Sequence, residues 1–527
     1  MPEISQSTQK LIQKYQSWHN SLQPKEGIST IHVDEVASRV ATFYEKLRGV
    51  VDWREEHLMR RATIERILKR RLLLQKNGED LASPFISELI RSGYFPNDKI
   101  DERKIDTIQN LLEKYIFIIQ NSPSPPVEKI KAQLYDWLMS IAACEAEEIL
   151  DPPRRERALI EYMEDLMQER ISVGGISEEE KNSQISIAVQ ESLFKLDKPI
   201  INYHLLKRQY PDWMQLSQPR LEEITGNIYS VWKNIEKSMH HPLSKKFYQI
   251  CERYDTTYLI LGDILSEEPL KIEEKIKNGE FLENKIKQAY QARLGTLKKR
   301  LSRAAIYSTV SIFITKMLLA FAIEIPFDKY VVNQFNPMAM ALSIIIPPLL
   351  MFIIVLTIRP PGSDNLNAVI METMKIVYAH EGSEVYKIKN PRKRGAVMIT
   401  IITSIYFLSF CLSFGLVIWG LKKLDFGILS IIIFLVFISL ISFAGVKIRE
   451  RSRELEVTEE KEGVLGLLID LFSMPIIQVG KWLSGQWAKY NVILVLMTAL
   501  IDMPFQVFTE FLEQWRYFLK EKKEEIH

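Results

Sequence analysis

Catalytic signatures are missing from this chain. It has no P-loop, no G-x-S-x-G, no H-E-x-x-H, no EF-hand loop and no G-x-G-x-x-G after a strand pattern. Cysteine is scarce. Cys144, Cys251 and Cys411 lie far apart, so neither a CxxC site nor a disulfide framework is available. Reduced thiols in a cytosolic setting are the expectation. Cys144, beside Glu145 and Glu147, reads as a small apolar residue on a helix surface, without the cationic neighbours that activate a thiolate. Of the 8 histidines only His240 and His241 are adjacent. Neighbours on a helix point about 100° apart, so a shared metal ion is not expected. No enzyme activity, cofactor, metal ligand or catalytic residue is assigned.

Other absences set the class. No apolar/polar alternation persists between turn signals, so a sheet is not expected. The N-terminal MPEISQSTQKLIQKYQSWHN lacks a basic stretch followed by an apolar core, so no cleavable signal peptide is expected. A net charge of +2 gives no global argument for binding nucleic acid. That average conceals two populations. The first part is rich in Glu, Lys and Arg, whereas the apolar runs within residues 304–446 are almost free of charge.

What is present is helical, and the fold class follows as all-α: a polytopic helical membrane protein with a large soluble N-terminal helical domain. Residues 1–303 form that domain, with a sub-boundary at the Pro-rich 122–126. Val36, Val40, Phe43, Leu47, Val51 and Leu58 follow a 3–4 spacing, and Ile64, Leu68 and Leu72 continue the stripe. This predicts one long helix to about Lys76, interrupted or bent near Gly49, or two consecutive helices, stopped at Gly78 and forming a hairpin or coiled-coil arm. Ser83-Pro84 and Asp151-Pro152 read as helix starts, Gly93 as a stop, Gly174-Gly175 as a break, and Ser177-x-x-Glu180 as a capping box. The basic run Arg60, Arg61, Arg66, Lys69, Arg70 and Arg71 could contact nucleic acid. Glu55, Glu56 and Glu65 interleave with it at helical spacings, which favours a solvated face carrying ion pairs.

Four apolar runs follow, at 304–325, 338–358, 396–420 and 426–446. A bilayer core of ~30 Å needs about 20 helical residues, so each run can span one and the lipid bilayer is the first partner. Lys and Arg cluster before the first run, between the second and third, and after the fourth; the other two connections carry only Lys329, Lys422 and Lys423. The positive-inside rule then puts both chain ends in the cytoplasm, with two short external hairpins, in the plasma (inner) membrane. The connection 359–395 includes an amphipathic helix over 365–379, whose basic end is suited to anionic headgroups.

A few positions depart from the apolar pattern. Lys316 falls mid-span, where Lys costs on the order of 2.5–3.5 kcal/mol, and Glu324 follows eight residues on. Two readings exist for them: snorkelling to the interface, which the lack of other central charges favours, or a polar lane or ion pair. Pro347-Pro348 should kink the second run. In the tail, 447–527, Leu471-Phe-Ser-Met-Pro475 is echoed by Leu500-Ile-Asp-Met-Pro504, with Asp470 and Asp502 beside the breaks. Carboxylates at that depth favour in-plane or re-entrant helices at 464–483 and 491–512 over two further spans.

The leading expectation is a non-enzymatic integral membrane protein. Its helical domain would scaffold or bind a protein partner, or a second copy of the chain, at the inner membrane face. The alternative is a channel or transporter using Lys316, Glu324, the kinked second span, Asp470 and Asp502.

Overall fold

The computed structural model describes residues 3–23, 27, 29–34, 56–74, 80–123, 127–332, 336–358, 360–378, 385–389, 395–457 and 464–489, with residues 508, 511, 515, 518, 519 and 522. The chain forms two compact units. One comprises Gln6–Asp255, Gly382–Asn390 and Val492–His527; the other comprises Met1–Ser5, Thr256–Glu381 and Pro391–Asn491. The class is all-α, with four long apolar helices after a helical N-terminal region.

The first unit is built on helices that bury one apolar face each. In Lys104–Asn121, residues Ile108, Leu111, Leu112, Tyr115 and Ile118 are buried, the 3–4 spacing of an amphipathic helix. Its neighbour Glu128–Leu150 is buried almost all round from Trp137 to Ala146, and so lies at the centre of the core. The Ser177 hydroxyl accepts from the Glu180 N–H at 3.1 Å, as the capping box requires. Two expected starts differ. Ser83 and Pro84 lie inside the first turn of Ala82–Arg91. Asp151 precedes Arg154–Arg170 without capping it, because its carboxylate binds Arg60 at 2.8 Å. Gly93 adopts φ +79, a left-handed conformation that suits glycine just past a helix end. The helix Glu56–Leu74 is present, while its expected N-terminal extension, Gly49 and Gly78 lie outside the described residues.

A small sheet corrects the expectation of none. Ile171–Val173 pairs in parallel with Tyr386–Ile388, in the register Ile171–Tyr386, Ser172–Lys387, Val173–Ile388. Three-residue strands leave no legible alternation, and the partners lie far apart in sequence. The Tyr254 and Tyr386 hydroxyls meet at 2.5 Å, and Lys246 Nζ donates to the Lys389 carbonyl at 2.7 Å.

The second unit holds four helices long and apolar enough to cross a membrane: Gly279–Tyr330, Pro337–Thr357, Ala396–Lys423 and Ile428–Ser452. The first apolar run is the later part of a longer helix, interrupted by a π-helical turn at Ala320–Glu324. A fifth helix, Val464–Lys489, packs on the third and fourth, and its interior Pro475 holds the first Met-Pro element. Pro475 has no N–H for the carbonyl of Leu471, four residues back. That carbonyl instead accepts from Ser409 Oγ at 2.5 Å, and Ser413 Oγ donates to the next one, Phe472, at 2.7 Å. A neighbouring helix thus replaces the donor that proline removes, as an apolar setting demands. The second Met-Pro element and Asp502 lie outside the described residues.

Polar ties gather the segments flanking these helices. Asn365 is 3% exposed. Its Nδ2 donates to Tyr290 Oη at 3.0 Å and to the Leu455 carbonyl at 2.6 Å, while its Oδ1 accepts from Val457 N–H at 2.7 Å. One side chain therefore joins the segment before the first span, the connection between the second and third, and the segment after the fourth. The helix Ser363–Tyr378 carries Asn365 and buries Val369, Thr373, Ile376 and Val377 as well; it packs on Gly279–Leu319.

Close approach of the fifth helix depends on Gly480. A Cβ there would stand 2.0 Å from the Ser439 carbonyl oxygen, a backbone atom that cannot swing away. Gly480→Val is expected to destabilise the detergent-solubilised protein by about 1–3 kcal/mol, seen as a lower thermal unfolding midpoint. Gly415→Val, whose Cβ meets open space, should leave the midpoint unchanged.

Candidate functional site

The strongest concentration of unusual chemistry lies among the apolar helices. Lys316 and Glu324 are both completely buried, and the ammonium is bound to the Glu324 carboxylate. Eight residues in a regular α-helix amount to two turns and about 80° of rotation. The wider π-helical turn at Ala320–Glu324 takes up much of that offset, so the two groups meet from one helix. The other Glu324 oxygen accepts from Ser343 Oγ of the second span at 3.2 Å, and Lys316 Nζ lies 5.6 Å from the centroid of the Phe437 ring on the fourth. Three spans thus surround one ion pair, adding a hydrogen bond and a cation–π contact. Lys316 does not snorkel: its ammonium is bound inside the protein.

Pro347 and Pro348 follow in the second span, both buried. They withhold the N–H groups that would otherwise bond the Ser343 and Ile344 carbonyls, so the ladder is open at the turn that supplies Ser343. Asp328, also buried, continues the polar series toward the end of the first helix. It lies against Gly427, where a Cβ would stand 2.8 Å from Asp328 Oδ1. Asp470 belongs to the fifth helix, which packs on the third and fourth spans. Among the sequence-derived candidates the structure therefore unites Lys316 and Glu324, places the two prolines beside their Ser343 partner, and sets Asp470 on a different packing surface. Ser343, Phe437 and Asp328 escape sequence reasoning because serine and phenylalanine are ordinary in such helices and Asp328 falls at a span end.

The first unit holds a second buried charge. Glu145, 1% exposed, accepts from Lys114 Nζ at 2.5 Å, Tyr115 Oη at 2.7 Å and Trp213 Nε1 at 3.0 Å. Lys114 also donates to the Trp213 carbonyl at 2.9 Å. Each partner is used, which marks this cluster as a tie between segments. The adjacent Cys144 is buried, correcting the surface reading, and burial pushes its thiol pKa well up. It is an inert core residue.

The basic run is engaged by the fold, with Arg61 buried and Arg60, Arg66, Lys69, Arg70 and Arg71 half-buried. Arg60 binds Glu147 and Asp151, Arg61 binds Glu65 and Asp197, Lys69 binds Glu65 and Asp136, and Arg70 and Arg71 both bind Glu88. Only the Glu65 pairs use the expected helical spacing; the remaining carboxylates come from elsewhere in the fold. His240 Nδ1 contacts the Glu236 carbonyl at 2.9 Å, and His241 Nε2 lies 3.3 Å from Glu180. Among the described residues no group of three or more His, Cys, Asp or Glu side chains is placed to hold a metal ion. The chain was compared with protein families, curated proteins and solved structures, and none matches it.

Two predictions concern the ionisable groups of this chain. Lys316→Leu strands the Glu324 carboxylate, and Glu324→Leu strands the Lys316 ammonium. Each should cost about 3–5 kcal/mol, whereas replacing both should recover most of the loss. Unfolding of the detergent-solubilised single and double variants measures the coupling; additive losses would contradict it. His204 supplies the second. Its Nδ1 lies 2.5 Å from Gln190 Oε1. Desolvation first, then repulsion by Arg157 and Lys207 against attraction by Glu148, lowers its pKa to about 4. In the unfolded chain histidine titrates near ~6.5 and takes the proton first, so the contribution is complete above that pH and lost as pH falls toward 4. The unfolding midpoint should fall across this window, and His204→Gln should reduce the fall. An unchanged pH slope in the variant would contradict it.

Proposed function

We propose that this chain is a non-enzymatic integral membrane protein. It holds a helical domain at the cytoplasmic face of the plasma (inner) membrane, where that domain scaffolds or recruits a protein partner. The observation that carries this reading is where the chain segments meet. Residues 382–390, from the connection between the second and third apolar helices, fold into the same compact unit as residues 6–255. Their parallel strand pairing supports placing both stretches on one side of the bilayer. The Asn365 bonds support the same for the segments before the first span and after the fourth. The basic residues of these segments give that side its cytoplasmic sign. Most polar sequence therefore faces the cytoplasm, and the connections on the other side are short.

The intramembrane pair fits an anchor. A lysine and a glutamate that neutralise each other, with Ser343 and Phe437 as further partners, hold three helices in register. The same pair also motivates a second reading, transport, because buried ionisable groups beside a proline-loosened turn are the material of ion pathways. Reconstitution into liposomes separates the two. Scaffolding predicts no ion flux above that of empty vesicles. A flux that disappears in the Lys316→Leu, Glu324→Gln variant would favour transport.

Topology is tested by cysteine labelling after Cys144, Cys251 and Cys411 are replaced. Single cysteines at Lys329 and Lys423 should react with an impermeant maleimide added to intact cells, while one at Lys389 should react only after permeabilisation. The reverse pattern would overturn the reading. Scaffolding itself is tested by affinity capture of the full chain from gentle detergent under several growth conditions. The same stoichiometric partner, or a second copy, should be recovered; isolation of the monomer alone each time would contradict it.

A further inference from the structure

Among the apolar helices one polar pair faces outward. Tyr406 of the third helix donates its hydroxyl hydrogen to Gln478 Oε1 of the fifth at 2.7 Å, and both residues are exposed. Ten residues of the apolar run 396–420 precede Tyr406 and fourteen follow it, which puts the pair near the middle of a span. The bond uses one end of the Gln478 amide. Among the described residues its Nε2 hydrogens meet no acceptor. Water would satisfy them on a soluble surface. Hydrocarbon does not, so an amide at that depth calls for a further helix.

The residues around Gln478 form a seam. Leu471, Met474, Gln478 and Lys481 are all exposed. Their spacing of three or four residues places them on one face of Val464–Lys489. Gly480, about 200° round from Gln478, occupies the packed side against Ser439. The third helix beside the seam is nearly bare, with only Ser409, Ser413 and Leu421 buried. Two properties of this face select a second copy of the chain as its occupant. Copies inserted in the same sense carry Gln478 at the same depth, so a two-fold axis along the membrane normal brings the two amides together. An amide is both donor and acceptor and therefore pairs with its own kind, Nε2 to Oε1. A single polar residue in such a seam fixes register and copy number. The four-carbon stem of Lys481 is long enough to carry its ammonium out of the seam.

We propose that Leu471, Met474 and Gln478 form the contact between two copies of this chain within the bilayer. The Gln478 amides bond across the two-fold axis, and Tyr406 holds each of them in place. The pairing rests on the reading of the chain as an integral membrane protein.

Single cysteines in a chain lacking Cys144, Cys251 and Cys411 test it in native membranes. Met474→Cys should give a reducible dimer on mild oxidation. Leu408→Cys, exposed on the third helix but turned about 200° from Tyr406, should not. Wild-type chain carrying one fluorophore at its N-terminus, diluted in liposomes, should bleach in two steps. Gln478→Leu should raise the dimer dissociation constant about tenfold, and Gln478→Asn, which keeps an amide, should recover part of that. Single-step bleaching of the wild type, linkage at Leu408 as strong as at Met474, or a Met474 adduct containing a different protein would overturn the pairing. So would equal dissociation constants for wild type and Gln478→Leu. Carbonate extraction of the same membranes tests the underlying reading separately. A chain that washes off refutes that reading and the pairing with it, whereas a chain that stays bound without dimerising refutes the pairing alone. The wild-type bleaching needs no substitution, so the test does not hinge on the variants folding.

Discussion

Asn365 sets the strictest constraint on this chain. Its amide is used on both sides, donating to Tyr290 and Leu455 and accepting from Val457, inside protein that leaves it 3% exposed. A buried amide without these partners would carry a desolvation cost of about 1–3 kcal/mol, so the three segments must arrive together. Two apolar hairpins suit this, because a hairpin returns the chain to the end of the helices from which it left. Neighbouring bonds act in the same sense. Tyr378 Oη donates to the Ile276 carbonyl at 2.5 Å, Thr256 Oγ1 to the Glu454 carbonyl at 3.0 Å, and the Ser5 N–H to the Val377 carbonyl at 2.9 Å.

Within the apolar helices one rule accounts for the departures from pattern: polar groups are tolerated where a partner inside the protein answers them. Lys316 answers Glu324, and Ser343 takes the second carboxylate oxygen. Ser409 answers the Leu471 carbonyl that Pro475 leaves open. Gly480 permits this last arrangement, since only a residue without Cβ lets the fifth helix lie against the Ser439 backbone. The Ser343, Ser409 and Gly480 contacts join different helices, which is how an apolar bundle gains specificity when burial of Leu and Ile gives none against lipid.

The apolar runs are legible in sequence because a bilayer demands a long uncharged stretch, which no local accident imitates. The four helices accordingly cover the expected runs, and the Ser177 cap bond to the Glu180 N–H appears in the structure because its geometry is local. Other features depend on partners that a local reading does not reach. Glu145 looks like surface charge until Lys114 and Trp213 arrive from 31 and 68 residues away. Arg60 and Arg61 look like a solvated stripe until Glu147 and Asp197 meet them. Lys316 and Glu324 stand out by charge alone, but the π-helical turn that faces them together has no sequence signature.

The central claim is that the connection between the second and third apolar helices is built into the N-terminal helical unit. The paired strands offer the most direct measurement. In a chain lacking its native cysteines, cysteines placed at Ser172 and Lys387, register partners in the parallel pair, lie within the short Cα separation that a disulfide needs. Mild oxidation of native membranes should join them rapidly, detected as an altered mobility that reducing agent reverses, while a Ser172 and Lys423 pair should remain unlinked. Linkage of Ser172 to Lys423, or none between Ser172 and Lys387, would contradict the account.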